Sequence, residues 1–176
     1  VTDGLPALAL SADPFEPNAM SRKPRKQDEP IYKGLNSFLI YYPIAMTIVA
    51  LTVFVWIYDA SNPETLLKAQ TATFLTIGMF ELYQAFASRS TIYPAFKVGI
   101  FKNKYLILAV LSSFTIIAAS IFIPSLGKFL KMAPLGIAEF FIIAAISTIG
   151  AIIIEISKYL KSRKEALESF DRKFYI

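Results

Sequence analysis

Three oxygen-bearing side chains in this sequence have surroundings that suit cation chemistry: Thr2, Asp3 and Glu81. Glu81 is the only charged residue between Ala69 and Ser88. A charge at the centre of a membrane helix costs about 2.5–3.5 kcal/mol on insertion scales, so one that persists there points to function. It lies twelve residues from Ala69 and eight from Arg89, roughly 18 and 12 Å along a helix and well inside a hydrocarbon layer. Gly78, Gln84 and Ser88 share its face, and small or polar neighbours favour burial against another helix. A carboxylate that only hydrogen-bonds between helices is the plainer reading of the same pattern.

Asp3 sits in Val1-Thr2-Asp3-Gly4-Leu5-Pro6. Gly and Pro both loosen a helical ladder, which frees carbonyl oxygens and lets a hydroxyl and a carboxylate turn toward a ligand. Broken helices at membrane depth are tolerated where they line a cavity, and ion-coupled transporters use them for cations. The donors are all hard oxygens, suited to Ca²⁺, Mg²⁺ or an alkali ion. Taken alone, Asp-Gly is equally an ordinary surface turn.

The elements that would hold these groups are apolar. Four stretches approach or exceed the ~20 residues that cross a bilayer: Leu35–Tyr58 and Tyr105–Gly127 without a charge, Ala69–Ser88 with Glu81, and Ile137–Tyr159, whose centre lies between Glu139 and Glu155. A shorter apolar run, Leu5–Leu10, reads as the end of a further helix. The expected fold is an all-α membrane protein of four full transmembrane helices preceded by the end of an unwound one. Residues 1–10 end the ion-binding helix and 11–34 form a cytoplasmic loop. The spans are 35–58, 69–88, 105–127 and 137–159, joined by 59–68 (outer), 89–104 (cytoplasmic) and 128–136 (outer), with 160–176 a cytoplasmic tail. A soluble bundle would need polar faces, and Val49–Ile57 offers only Thr52.

Orientation follows from Lys and Arg. The five connecting segments carry 5, 1, 4, 2 and 6 of the 18 basic residues in chain order, and the basic-rich ones belong in the cytoplasm. Tyr41, Tyr42, Trp56 and Tyr58 lie near the ends of the first span, where amphipathic rings form interfacial belts. Pro43 is expected to kink that helix. The basic cluster Arg22–Lys26 is explained by the same charge rule, and the tail could lie as a helix on the membrane surface.

Composition closes other routes. The net charge is +5, but the charges cluster between apolar runs, so a lipid bilayer is the expected partner and nucleic acid is not. Cys and His are both absent, which excludes disulfides, thiolate metal sites and imidazole catalysis in this chain. Val1 opens the sequence without a basic n-region, and the chain reads as a piece of a longer protein.

The run Val1-Thr2-Asp3-Gly4-Leu5-Pro6-Ala7-Leu8-Ala9-Leu10, followed by Asp13-Pro14 and Met20-Ser21-Arg22-Lys23-Pro24-Arg25, resembles the sixth transmembrane helix and next cytoplasmic loop of type II P-type ATPases. The likeness is best with calcium pumps of the sarcoplasmic and endoplasmic reticulum, secretory-pathway and prokaryotic kinds. Glu81-Leu82-Tyr83-Gln84-Ala85-Phe86-Ala87-Ser88 resembles their eighth helix, and the last two spans are similar to their ninth and tenth. The resemblance runs from Val1 to Tyr159, over the C-terminal cation-transport domain. Ser11 stands where a glycine is common, and the basic cluster has one proline where many relatives have two.

The resemblance implies that Thr2 and Asp3 fall on coordinating positions of an unwound sixth helix and that Glu81 falls on the eighth-helix acid of two-site calcium pumps. It implies Ca²⁺ as the transported ion, with Mn²⁺, Na⁺ or H⁺ as alternatives. None of the five aspartates begins an Asp-Lys-Thr-Gly phosphorylation motif, and no glycine-rich nucleotide loop occurs. ATP and Mg²⁺ are therefore expected only through the remaining helices and cytoplasmic domains of the pump, upstream of Val1. A prokaryotic cell membrane is the expected location, with endoplasmic reticulum or Golgi membrane the alternative. A purely bracing role, or a small channel, would be the competing functions; a channel is disfavoured because one span alone has a central acid.

Overall fold

The computed structural model describes residues 3–15, 28, 30, 32, 35 and 37–174. Every regular element among them is helical: α1 (Gly4–Leu10), a π-helical turn (Ser37–Tyr41), α2 (Tyr42–Ile57), α3 (Glu64–Ala87), α4 (Ala95–Val98), a 3₁₀ turn (Ile100–Lys102), α5 (Lys104–Phe122), α6 (Pro124–Leu130) and α7 (Ile137–Phe174).

Local chemistry sets the boundaries. Pro43 has no N–H to give the preceding turn, and the backbone widens to π geometry just before it, so α2 opens with this proline in its first turn. Asn103 caps α5 by accepting a hydrogen bond from Leu106 N at 2.9 Å. That helix stops at Phe122, short of the expected Gly127, because Ile123 precedes Pro124 and is held extended. Residues 124–130 form the separate helix α6, which ends on Lys131 in the left-handed region at φ 54°. Glu139 reaches back to Gly136 N at 2.8 Å, one half of a capping box at the start of α7. Helix α7 then runs 38 residues without a break, so residues 160–174 continue the last helix instead of forming a separate one on the surface.

Helix α3 is the centre of the bundle, packed by α2, α5 and α7, with α1 on α5 and against α3. Leu75, Met79 and Phe80 of α3 meet Tyr42 and Val53 of α2, Ile117 and Ile121 of α5, and Ile143 and Ile154 of α7. Enclosure explains how α3 tolerates Thr71, Thr73 and Thr76, whose hydroxyls donate to carbonyls one turn back. Tyr42, expected at the interface, is instead a core residue: it is 2% exposed, its ring meets Phe80 edge-on, and its hydroxyl donates to Phe80 O. Tyr41, Trp56 and Tyr58 are exposed, as amphipathic belt residues would be.

Contacts fix the helix directions. Lys68 pairs with Glu139 at 2.6 Å, and Thr71 Oγ1 accepts from Ala133 N at 2.9 Å, so the starts of α3 and α7 share one end. Lys158 donates to Ala87 O and Glu155 accepts from Ala95 N, which places the end of α3 beside the Glu155–Lys158 turn of α7, well before α7 itself ends. Among the described residues, three helical stretches are long and apolar enough to cross a membrane: Phe38–Ile57, Lys104–Phe122 and Ile137–Leu160. Helix α3 has the length, 24 residues, but falls short of that apolar character. Threonines, glutamines and Glu81 dilute it, and its neighbours cover it.

Candidate functional site

A cavity of about 140 Å³ opens between α1 and α3, lined by Asp3, Pro6, Ala7 and Leu10 on one side and Glu81, Gln84, Ala85 and Ser88 on the other. At about 30 Å³ per molecule of liquid water, it has room for a few small ligands or waters. Asp3 and Glu81, far apart in the sequence, thus face one space. Gln84 and Ser88 are the stripe-mates expected from spacing, and they add an amide and a hydroxyl to the walls. Gly78, on the same stripe, is buried but does not line the cavity. Thr2 lies outside the described residues, as does the basic cluster Arg22–Lys26.

Asp3 stands at the N-terminal end of α1, with helical backbone angles and no side-chain cap. Gly4–Leu10 is a regular helix. Pro6 falls within its first turn, where no intrahelical N–H bond is forfeited, so the loosening expected around Gly4 and Pro6 does not occur from Gly4 to Leu10. Asp3 is exposed in this chain and Glu81 half-buried, so the cavity has a wet side and a covered side. Among the described residues no three acids lie close enough to enclose a metal ion. Two carboxylates alone would not complete an oxygen shell around a cation. A larger groove of about 580 Å³ between α1 and α5 is lined by apolar groups such as Leu5, Leu8 and Leu108, and it has no charged residue on its walls.

Below the cavity, past Ser88, lies a polar cluster that residue spacing did not reveal. Arg89, with its side chain fully buried, donates from Nε to both carboxylate oxygens of Asp13, at 2.9 and 3.1 Å, and from Nη1 to Gly99 O at 2.8 Å. Asn103 Nδ2 donates to Asp13 Oδ1 at 2.8 Å and to Ala9 O at 3.0 Å. In the sequence Arg89 reads as one more positive-inside charge. Asn103 did carry a signal, a side-chain cap just ahead of an apolar run.

Comparison with known proteins agrees with this architecture. Residues 1–160 match the family model described as cation transporting ATPase, C-terminus. The chain is 30% identical over 92% of its length to calcium-transporting ATPase 1 of Bacillus cereus, covering 20% of that protein. It is 32% identical over 88% of its length to a calcium-transporting ATPase of Bacillus subtilis, covering 17% of it. It is 29% identical over 93% of its length to the endoplasmic reticulum calcium ATPase srcA of Aspergillus fumigatus, covering 20% of it. The chain thus spans about a fifth of the length of these relatives.

Proposed function

The chain belongs to the cation-transporting ATPase C-terminal family, and from that premise we propose that it forms the last part of the membrane domain of an ATP-driven calcium pump. In this reading Thr2, Asp3 and Glu81 supply oxygen ligands to a mid-membrane Ca²⁺ transport site. One observation carries it: Asp3 and Glu81 line a single cavity between α1 and α3. Calcium takes six to eight hard oxygens at about 2.3–2.6 Å. Two carboxylates offset its charge, and the rest of the shell comes from Thr2, freed backbone carbonyls and helices outside this chain. ATP and Mg²⁺ act in the cytoplasmic part of the pump, and phosphorylation there turns the site from one side of the membrane to the other.

Around the site, α3 serves as a fourth span, shielded from lipid by its neighbours. The end of the bundle carrying Arg89, Lys97, Lys102, Lys104 and Lys158 faces the cytoplasm. The bilayer and the remaining helices of the pump are the partners. A bacterial cell membrane is the first location to test, since relatives from Bacillus match, and an endoplasmic reticulum membrane the second.

The test is Ca²⁺ binding and Ca²⁺-dependent phosphorylation in the complete pump. Asp3→Asn is expected to weaken Ca²⁺ affinity by at least about tenfold, since ligand charge tunes such sites. Unchanged affinity would remove Asp3 from the site. A second reading, in which Glu81 only braces helices, draws on the half-burial of that residue in an enclosed helix. It predicts that Glu81→Gln leaves the number of Ca²⁺ bound per pump unchanged, whereas a ligand role predicts that the number falls.

A further inference from the structure

Helix α1 is only seven residues long, too short to be stable by itself, and just Pro6 and Ala9 of it are buried. Ala9 packs with Ala85, Leu106 and Ala109, a small apolar contact. The stronger attachment is polar and lies where the chain leaves the helix. Asp13, with a side chain 12% exposed, receives both Arg89 Nε contacts and Asn103 Nδ2. Asn103 Nδ2 also holds Ala9 O at the last turn of α1, while its Oδ1 caps α5. Three segments therefore meet at one point: the exit of α1, the end of α3 and the start of α5. Ser88, which lines the cavity holding Asp3 and Glu81, directly precedes Arg89.

We propose that Asp13, Arg89 and Asn103 are positioning residues of the cation site, a clamp that fixes the register of α1 against α3 and hence the separation of Asp3 and Glu81. The inference rests on the proposed function and deepens it. The planar guanidinium aims Nε at Asp13 and Nη1 at Gly99 O in one fixed geometry, which a lysine in place of Arg89 could not do. Burial makes the arrangement all-or-none, because a slipped Asp13 would leave Arg89 charged and unpaired. Arg89 Nη2 is already buried without a hydrogen-bond partner among the described residues. Misplacing a binding group by about 1 Å can cost on the order of a hundredfold in function.

The experiment measures equilibrium Ca²⁺ binding, per folded molecule, to the complete purified pump. Arg89→Lys keeps the charge and loses the fork. Asn103→Asp keeps an N-cap for α5 but removes the donor that holds Ala9 and Asp13. Each is expected to weaken Ca²⁺ affinity about tenfold, an intermediate loss on the same scale. In a Glu81→Gln background the Arg89→Lys effect should shrink below about twofold, because coupled residues are not additive. If both variants bind Ca²⁺ within twofold of the parent and lose only thermal stability, the clamp is structural and the inference fails. Asp3→Asn, measured alongside, separates the two ideas. If it too leaves binding unchanged, the site reading has fallen and the positioning role falls with it. If it weakens binding while Arg89→Lys and Asn103→Asp do not, the positioning role alone is wrong.

Discussion

Lys158 illustrates how a charge can be more than an orientation signal. Its side chain is 2% exposed, donates to Ala87 O, pairs with Glu155 Oε1 at 3.0 Å and lies 5.4 Å from the centre of the Phe38 ring. Ala87 is the last residue of α3, so the ammonium meets a carbonyl that the helix itself cannot satisfy, at the end where partial negative charge collects. Lys158→Met keeps most of the volume and removes the charge, leaving that carbonyl and one oxygen of Glu155 to find other donors. Breaking a buried pair costs about 3–5 kcal/mol, and a loss near 3 kcal/mol is expected here because Ala95 N still serves Glu155. The measurement is the unfolding midpoint of the purified protein in detergent. Stability within 0.5 kcal/mol of the parent, a span ascribed to plain surface changes, would mean that water reaches this end of α3 freely.

Between elements, α7 lies close against α2 and α3 at Gly150. A methyl group added there would clash with the edge of the Phe80 ring and come 2.8 Å from the Tyr42 ring. Small residues let membrane helices approach closely enough for dispersion forces to hold them, and both rings belong to the core. Gly150→Ala should therefore destabilise the bundle by about 1–3 kcal/mol through overpacking, despite alanine's better helix propensity. A stabilised variant, scored by detergent unfolding, would show that the helices separate there easily. This element scale also marks what could be read in advance. Apolar runs gave the four long helices, since lipid and the bundle core both select for apolar residues. Spacing on α3 placed Glu81, Gln84 and Ser88 on one stripe, and all three line the cavity. It could not give the clamp, because Asp13, Arg89 and Asn103 meet only through tertiary packing. Nor could it tell that Tyr42 points inward while Tyr41 points out, since which side of the helix faces the bundle is set by tertiary packing.

At the scale of the whole molecule, two distributions have to be reconciled. The outer surface displays Ile44, Ile48, Leu51 and Val55 on α2, Leu108 and Leu111 on α5 and Ile152 and Ile156 on α7. Isolated exposed leucines are unremarkable in water, but contiguous apolar faces on several long helices call for lipid. The charges lie at the two ends instead, and unequally. Arg89, Lys97, Lys102, Lys104 and Lys158 gather at one end, against Lys68, Lys128 and Lys131 at the other. The positive-inside rule acts on loops of this length, so the two ends should report opposite sides of the membrane. The chain has no cysteine of its own, so it adds no background to the test. Ser61→Cys, in the turn between α2 and α3, and Thr91→Cys, between α3 and α4, are both exposed positions. In intact cells a membrane-impermeant maleimide should label the cysteine at 61 and spare the one at 91, and inverted vesicles should reverse the pattern, each scored against the parent protein. Because α3 alone joins these two positions, opposite labelling would also make it a fourth span, although its composition falls short of that of its neighbours. Labelling of both from one side would leave α3 within the membrane without crossing it, and Glu81 would then have no path from one face to the other.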